Sequence, residues 1–147
     1  MKVKLCLFLI FFVFLNKIHL LADEILFESD NIKIQNEGNI IYAYKTIAKI
    51  PNQKIEIEGD KSIYDKKNSK LTIIDNVKFL DQDKNLYIES NNIIYDQIEN
   101  TIYSEGKTLI KLEDTYKIIS EDVLYNRNLM EISSSLDTTV EDMELNI

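Results

Sequence analysis

Residues Ile88 to Gly106 read I-E-S-N-N-I-I-Y-D-Q-I-E-N-T-I-Y-S-E-G. The first half alternates apolar and polar residues up to the pair Tyr95-Asp96, a polar turn covers Gln97–Asn100, and a second alternating run reaches Gly106. Alternation with a period of two on both sides of a polar turn is typical of two strands joined by a turn. This stretch therefore predicts a strand-turn-strand unit.

The unit recurs along the chain. A near-copy covers Ile57–Val77 and a degraded copy covers Ile119–Ser133. Tyr64, Tyr95 and Tyr125 occupy matching positions, spaced by 31 and 30 residues, and one further step back reaches Ile34. The chain therefore predicts about four repeats, in which the three tyrosines pack across neighbouring strands.

No segment after residue 22 has a sustained 3.6-residue apolar period, and β-branched and aromatic residues dominate the apolar set. The fold class is therefore predicted as all-β. Turns this short favour antiparallel neighbours, because a parallel crossover needs a dozen or more residues. The predicted strands are Ile25–Ile34, Ile40–Ile50, Lys54–Tyr64, Lys70–Leu80, Leu86–Tyr95, Thr101–Leu112, Tyr116–Tyr125 and Leu129–Leu136.

Alternation within a strand predicts which side chains share a face. In Lys54–Tyr64 it places Ile55, Ile57 and Ile63 together and Ser62 on the opposite face. One face of the sheet would be buried or in contact with lipid, and the other would be hydrated. Gly59 and Gly106 lie inside predicted strands, where glycine indicates a bulge, a close approach of two strands, or clearance for a ligand.

Composition excludes several classes of function. The 147 residues carry a formal net charge of −8, which argues against a nucleic-acid partner. Cys6 and His19, the one cysteine and the one histidine, both lie in the first 22 residues. With those residues removed, no thiol or imidazole remains for catalysis or metal binding, so we predict no catalytic residue, no metal and no cofactor.

Residues 1–22 have the architecture of a secretory signal peptide. A basic head with Lys2 and Lys4 precedes an unbroken apolar run from Leu5 to Leu15, and Ala22 precedes the first acidic residues. Eleven apolar residues are too few to span a bilayer of about 30 Å as a helix. We therefore predict an exported chain with residues 1–22 as signal, 23–136 as a β domain, and a weakly patterned tail at 137–147 that leads into further sequence.

The repeats resemble the OstA-like family of lipopolysaccharide-transport proteins. The residues that carry the resemblance are Gly59–Val77 (G-D-K-S-I-Y-D-K-K-N-S-K-L-T-I-I-D-N-V), Ser90–Gly106, Phe27–Ile32 and Leu112–Tyr125. The order of signal and repeats is most similar to the periplasmic N-terminal domain of the outer-membrane assembly protein LptD, and the bridge protein LptA is the near alternative. The first and last repeats depart from the pattern, because Ile34-Gln35 and Tyr125-Asn126 stand where the Tyr-Asp pair is expected.

The resemblance implies an antiparallel β-jellyroll, an open V-shaped sandwich in the periplasm whose apolar interior holds the lipid A acyl chains of lipopolysaccharide. It also implies sister jellyroll domains stacked edge to edge and, in the LptD case, an outer-membrane barrel with its lipoprotein plug. The alternating pattern identifies the residues that would line the groove. It does not distinguish residues of a groove from residues of an ordinary core. They are Ile57, Ile73, Val77, Phe79, Ile88, Ile102, Ile110, Ile118 and Ile132.

Two alternatives remain open. The first is a structural β-repeat module of an exported adhesin or scaffold, with a filled interior. A more distant one is a solenoid-type enzyme acting on polysaccharides.

Overall fold

A computed structural model describes residues 23–113 and 115–144, so the predicted signal segment, residues 1–22, lies outside the described residues. The described part is all-β, as predicted, with two short 3-10 turns at Asn36–Gly38 and Pro51–Gln53. The strands are β1 (Leu26–Gln35), β2 (Ile40–Ile50), β3 (Ile55–Asp65), β4 (Lys70–Asp81), β5 (Leu86–Asp96), β6 (Thr101–Glu105), β7 (Lys107–Leu112), β8 (Tyr116–Glu121), β9 (Leu124–Asn126), β10 (Glu131–Ser133) and β11 (Thr139–Asp142).

All of these strands belong to one antiparallel sheet, in which β1 to β5 are neighbours in chain order. At β5 the sheet divides. Residues Asn92–Asp96 pair with β6, whereas Leu86–Glu89 pair with β7. One branch continues as β6-β9-β10 and the other as β7-β8-β11. The sheet is therefore folded over across the middle of its strands, which gives a V-shaped, jellyroll-like sandwich of two layers.

Each long strand bends where it passes from one layer to the other. The pairing register is irregular between Glu58 and Lys61 and again between Ile74 and Val77. Lys45, Asp75 and Asp122 have positive φ angles of 49°, 63° and 49°. We call this line of bends the fold line; it consists of Lys45, Glu58–Lys61, Asp75–Asn76, Ser90–Asn92, Gly106 and Asp122.

The bend changes which residues of a strand face inwards. In β3 the buried positions are Ile55, Ile57 and Gly59 before the bend and Ser62 and Tyr64 after it. The prediction that Ile63 shares a face with Ile55 and Ile57 is therefore wrong. At this bend two residues of β3 (59–60) face three residues of β4 (75–77), and a strictly alternating pattern does not anticipate the change of face at such an irregularity.

The two strand glycines lie on the fold line. A Cβ at Gly59 would overlap the Cγ2 atom of Ile73 and come within 3.2 Å of the Asp75 carbonyl oxygen. Gly106 has a φ of +75° and separates β6 from β7, so the predicted single strand Thr101–Leu112 is interrupted there. The predicted close approach is confirmed at Gly59, and a bend lies at Gly106.

Near the C-terminus the strands are shorter than predicted. Tyr116–Tyr125 is divided into β8 and β9 by the bend at Asp122, and only Glu131–Ser133 of the predicted strand Leu129–Leu136 is extended. β11 lies in the segment assigned to the weakly patterned tail and pairs with β8. The four residues of β11 are too few for alternation to identify a strand.

The turns form two rows, one at the end of each layer. Row A joins the strands of the layer that contains β6, β9 and β10; its turns are Asn36–Asn39, Lys66–Ser69, Gln97–Asn100 and Arg127–Met130. Row B closes the other layer, with Pro51–Lys54, Gln82–Asn85 and the turn that follows Leu112. Within row A, for example, Gln97 N donates to Ser69 O at 3.0 Å and Arg127 N donates to Asn100 O at 3.1 Å. Both rows lie opposite the fold line, along an edge that we call the seam.

The Tyr-Asp pair of the repeat has two separate roles. The tyrosines are core residues, because Tyr64, Tyr95 and Tyr125 are all buried, which confirms the predicted packing role. The residue after each tyrosine accepts hydrogen bonds from turn N–H groups, as Asp96 Oδ1 does from Ile98 N at 3.0 Å and from Glu99 N at 3.1 Å. The dipeptide therefore fixes both the core and the turn of its repeat.

Candidate functional site

The nine residues predicted to line a groove all lie in the interior of the sandwich. Seven of them are at most 1% exposed, and Ile118 and Ile132 are partly buried against the same core. Ile73, Ile102 and Ile132 come from the layer of row A, and the others come from the layer of row B. Their side chains therefore form one continuous apolar interior between the layers.

The interior leads to a cavity of about 300 Å³ at the end formed by β8, β10 and β11. Its apolar wall includes Ile110, Ile118, Val123, Ile132 and Val140, and its rim carries the hydroxyl groups of Ser120, Ser133, Ser134 and Thr138. We call this cavity the mouth. Its volume is at the lower limit of the range for ligand pockets, about 300–1,000 Å³.

The larger depression, of about 480 Å³, has a different character. Leu109 and Ile119 lie in it beside Lys107, Lys117 and Glu89. Lys117 Nζ is already paired with Glu141 at 2.8 Å. With both signs of charge at its wall, this depression is a less suitable site for an apolar chain than the mouth.

A row of hydroxyl groups follows the fold line inside the sandwich. Ser62 Oγ donates to Thr46 Oγ1 at 3.2 Å across the two layers, and the hydroxyls of Ser104 and Thr108 are 2.8 Å apart. Thr108 Oγ1 also donates to the Gly106 carbonyl oxygen at 3.0 Å. Bends interrupt the regular backbone pairing, and there Thr108 and Ser104 provide partners for the carbonyl oxygens of Gly106 and Val123, whereas Ser62 and Thr46 satisfy each other.

The seam is closed by a cluster of polar side chains around Arg127, the single arginine of the chain. Arg127 lies in row A and reaches across to row B. Its Nε donates to Asp81 Oδ2 at 2.5 Å, and its Nη2 donates to the Gln53 carbonyl oxygen at 2.8 Å. The Asp81 side chain is fully buried and that of Arg127 is 11% exposed. We call the contacts among Arg127, Asp81 and Gln53 the clasp.

Further hydrogen bonds cross the seam beside the clasp. Tyr95 Oη donates to Gln53 Oε1 at 2.9 Å, and Gln97 Nε2 donates to the Asp23 carbonyl oxygen at 2.8 Å. On the row A side, Tyr64 Oη donates to Gln97 Oε1 at 2.9 Å, so Tyr64 holds the side chain that reaches across to Asp23. The hydrogen bond that Arg127 donates to the Asp81 side chain raises the pKa of Arg127, so the guanidinium stays charged. The seam is therefore polar, whereas the interior behind it is apolar.

Burial of Tyr95 makes stability depend on pH in the alkaline range. Removal from water raises the pKa of Tyr95 to about 12. The positive charge of Arg127 and the hydrogen bond with Gln53 oppose this rise. In the unfolded chain a tyrosine titrates near pH 10. The folded state therefore holds this proton more tightly, and its contribution to stability is complete below pH 10 and lost as the pH rises towards 12.

We expect the free energy of unfolding to fall between pH 10 and 12, with Tyr95 contributing up to about 1.4 kcal/mol per pH unit. The variant Tyr95→Phe should show a shallower decline. Urea titrations at several pH values, followed by circular dichroism, measure this slope. Tyr103→Phe, at a more exposed position, is the control and should keep the parent slope. Equal slopes for Tyr95→Phe and the parent would contradict the prediction.

Sequence reasoning did not identify the clasp. Asp81 occupies the position before a turn and accepts a hydrogen bond from Lys84 N at 3.2 Å, so in the sequence it resembles the other aspartates that precede turns. Gln53 and Arg127 lie 28 and 46 residues away from Asp81, in different repeats. The one available signal is that a single arginine occurs in a chain with sixteen lysines.

The described residues contain no group of three or more His, Cys, Asp and Glu side chains placed to hold a metal ion. In the same part of the chain, no helix is long and apolar enough to cross a membrane.

Comparison with known proteins supports the architecture. No protein-family model matches the chain, and no curated protein matches its sequence. The fold is similar to the crystal structure of LptH, the LptA homologous periplasmic component of the conserved lipopolysaccharide transport device from Pseudomonas aeruginosa. The TM-score is 0.68 at 9% sequence identity, and the match covers 81% of this chain and 96% of LptH. The likeness confirms the predicted antiparallel, V-shaped, jellyroll-like class of fold.

Proposed function

We propose that this chain is a periplasmic domain of a lipopolysaccharide-transport system, which takes the acyl chains of lipopolysaccharide into its apolar interior through the mouth. The observation that carries the proposal is the match to almost the whole length of LptH, a component of such a transport device. The interior agrees with this role, because the nine groove residues are all aliphatic or aromatic. Of the two candidates, an LptA-like bridge protein and the N-terminal domain of LptD, the match to LptH supports the bridge protein.

The physical advantage of such an interior is large. Moving an acyl chain of about a dozen methylene groups through water costs roughly 10 kcal/mol, at about 0.8 kcal/mol per methylene. A continuous apolar path removes most of that barrier. Aliphatic walls also suit a carrier, since they provide no polar group that would hold the lipid at one position.

The edges of the sheet support end-to-end stacking with sister domains. In the described chain β1 pairs only with β2, and β10 and β11 each pair with one strand. An edge strand leaves backbone N–H and C=O groups unpaired along one side and can add a strand from another domain. Exposed apolar side chains, including Ile32 and Ile34 of β1 and Val140 of β11, accompany these edges.

The LptD alternative differs in what accompanies the domain. It would add an outer-membrane barrel and its lipoprotein plug as partners. Coding sequence for several hundred residues of alternating, aromatic-flanked strands directly after Ile147 would favour it.

One observation favours the second candidate, a structural module with a filled interior. Seven of the nine groove residues are at most 1% exposed, so their side chains already pack against one another. A lipid carrier must therefore rearrange to admit an acyl chain, whereas a scaffold need not.

Site-specific photo-crosslinking separates the two functions. A photoreactive amino acid is placed singly at Ile132 in the mouth, at Ile102 in the interior, and at the exposed control position Ile98, and the purified domain is illuminated with lipopolysaccharide. The transport function predicts crosslinks from Ile132 and Ile102 at least tenfold above those from Ile98. Crosslinks that are equal at all three positions, or absent, would overturn it.

A further inference from the structure

The two long edges of the sandwich are held by different kinds of interaction. At the fold line the polypeptide itself continues from one layer into the other in β2, β3, β4 and β5. At the seam, the backbone-to-backbone hydrogen bonds of the described turns run within row A or within row B. The rows are joined across the seam through side chains, chiefly those of Arg127, Gln53 and Gln97.

The fold line has the properties of a hinge. Its bulges already depart from regular pairing, and Lys45, Asp75 and Gly106 have left-handed backbone conformations. Small hydroxyl residues such as Ser62 and Thr46 face each other inside the bend, where large side chains would resist a change of angle. Hinges are formed by a few positions that absorb changes in φ and ψ.

The clasp joins the two layers at the turn that precedes one wall of the mouth. Arg127 begins the turn between β9 and β10, five residues before Ile132, which lines the mouth. Its guanidinium contacts the buried Asp81 carboxylate in the opposite layer with two nitrogen atoms, at 2.5 and 3.3 Å. Opening the seam would break this ion pair and would expose both charges to water, which solvates them.

We propose that the sandwich opens at the seam by a change of angle along the fold line, and that the ion pair between Arg127 and Asp81 is the latch that keeps the apolar interior closed. The inference rests on the proposed function for the identity of the physiological ligand, an acyl chain of lipopolysaccharide. The latch itself would limit the entry of any apolar molecule into the interior.

The size of the expected effect follows from the population of the open state. The apparent dissociation constant of a ligand that binds only the open state equals the intrinsic constant divided by the open fraction. A latch that contributes about 1.4 kcal/mol to the closed state therefore weakens apparent binding tenfold. Removing it should strengthen binding by that factor, and locking the seam should abolish uptake.

The test uses a triple variant, Gln53→Cys, Arg127→Cys and Asp81→Asn, in the domain that begins at Asp23. Without a linker this variant lacks the latch, and a short bismaleimide between the two cysteines holds the seam closed. Asp81→Asn avoids an unpaired buried charge and preserves an acceptor for Lys84 N.

The matched control carries Lys67→Cys and Ile98→Cys, which lie on adjacent turns of row A, so its linker does not cross the seam. Circular dichroism and thermal unfolding establish that each protein is folded.

The first readout is binding of N-phenyl-1-naphthylamine, an apolar dye whose fluorescence increases in an apolar environment. We expect the unlinked triple variant to bind the dye about tenfold more tightly than the parent domain. The linked triple variant should bind little or none, and the linked row A control should match the parent. If dye binding is equal in the linked and unlinked triple variants, the latch is wrong.

The second readout is lipopolysaccharide, captured through the photoreactive residue at Ile132. If the dye responds to the linker and lipopolysaccharide is captured by none of the proteins, the latch holds and the proposed function fails. If lipopolysaccharide is captured equally by the linked and unlinked proteins, the function holds and the latch fails. Should the triple variant not fold, Asp81→Asn with Arg127→Met replaces the unlinked state and carries the same expected tenfold change.

Discussion

Replacing Phe79 by alanine should destabilise the domain by about 3–5 kcal/mol. Phe79 is fully buried, and on β4 it lies directly between Ile57 of β3 and Ile88 of β5. Truncation removes apolar contacts on both sides and leaves a cavity in the centre of the row B layer. Because domains are stable by only about 5–15 kcal/mol in total, the loss is a large fraction of the whole.

Urea denaturation followed by far-ultraviolet circular dichroism measures this loss, provided that the dependence on urea concentration stays the same. Ile98→Ala is the matched control, because Ile98 is 57% exposed, and it should change stability by no more than about 0.5 kcal/mol. A loss below about 1 kcal/mol for Phe79→Ala would contradict tight packing and would indicate an interior that is loosely filled in the absence of ligand.

Replacing Arg127 by methionine should cost about 3–5 kcal/mol, because it leaves the Asp81 carboxylate buried without its cation. The double variant Arg127→Met with Asp81→Asn removes the charge as well, so it should be more stable than Arg127→Met alone. The recovery, measured in a double-mutant cycle, reports the coupling between the two side chains.

An exposed ion pair is the control for this experiment. Lys45 and Asp30 are 3.4 Å apart with side chains that are 78% and 71% exposed. Water screens such a pair, and Lys45→Met should change stability by no more than about 1 kcal/mol. Equal losses for Arg127→Met and Lys45→Met would show that the clasp contributes no more than a surface pair.

The elements that local pattern determines could be predicted from the sequence. The Tyr95-Asp96 pair and its polar turn identify a hairpin because the core residue and the turn residue are adjacent in the chain. β1 to β5 lie within about one residue of the predicted bounds at each end. The predicted groove residues lie together in the interior because alternation within half a strand is reliable between bends.

Apart from the positions of Gly59 and Gly106, the fold line could not be predicted, because a bend is a tertiary requirement. Ser62 is buried and Ile63 is not, which reverses the order that hydrophobicity alone would give. The clasp could not be predicted from the sequence for a related reason. The side chains of Arg127, Asp81 and Gln53 meet only when the two ends of the bent strands come together, and nothing in the local sequence marks that meeting.

The stacked turns have a consequence for how such a molecule changes in length. Each repeat adds two strands, or about 10 Å along the direction in which strands are neighbours. Each new turn joins its row through the same backbone hydrogen bond, as Gln97 N does to Ser69 O. Duplication of a segment of 30 or 31 residues would therefore lengthen the sandwich by one unit and leave the existing units unchanged. Copy number alone would then set the distance that one chain spans.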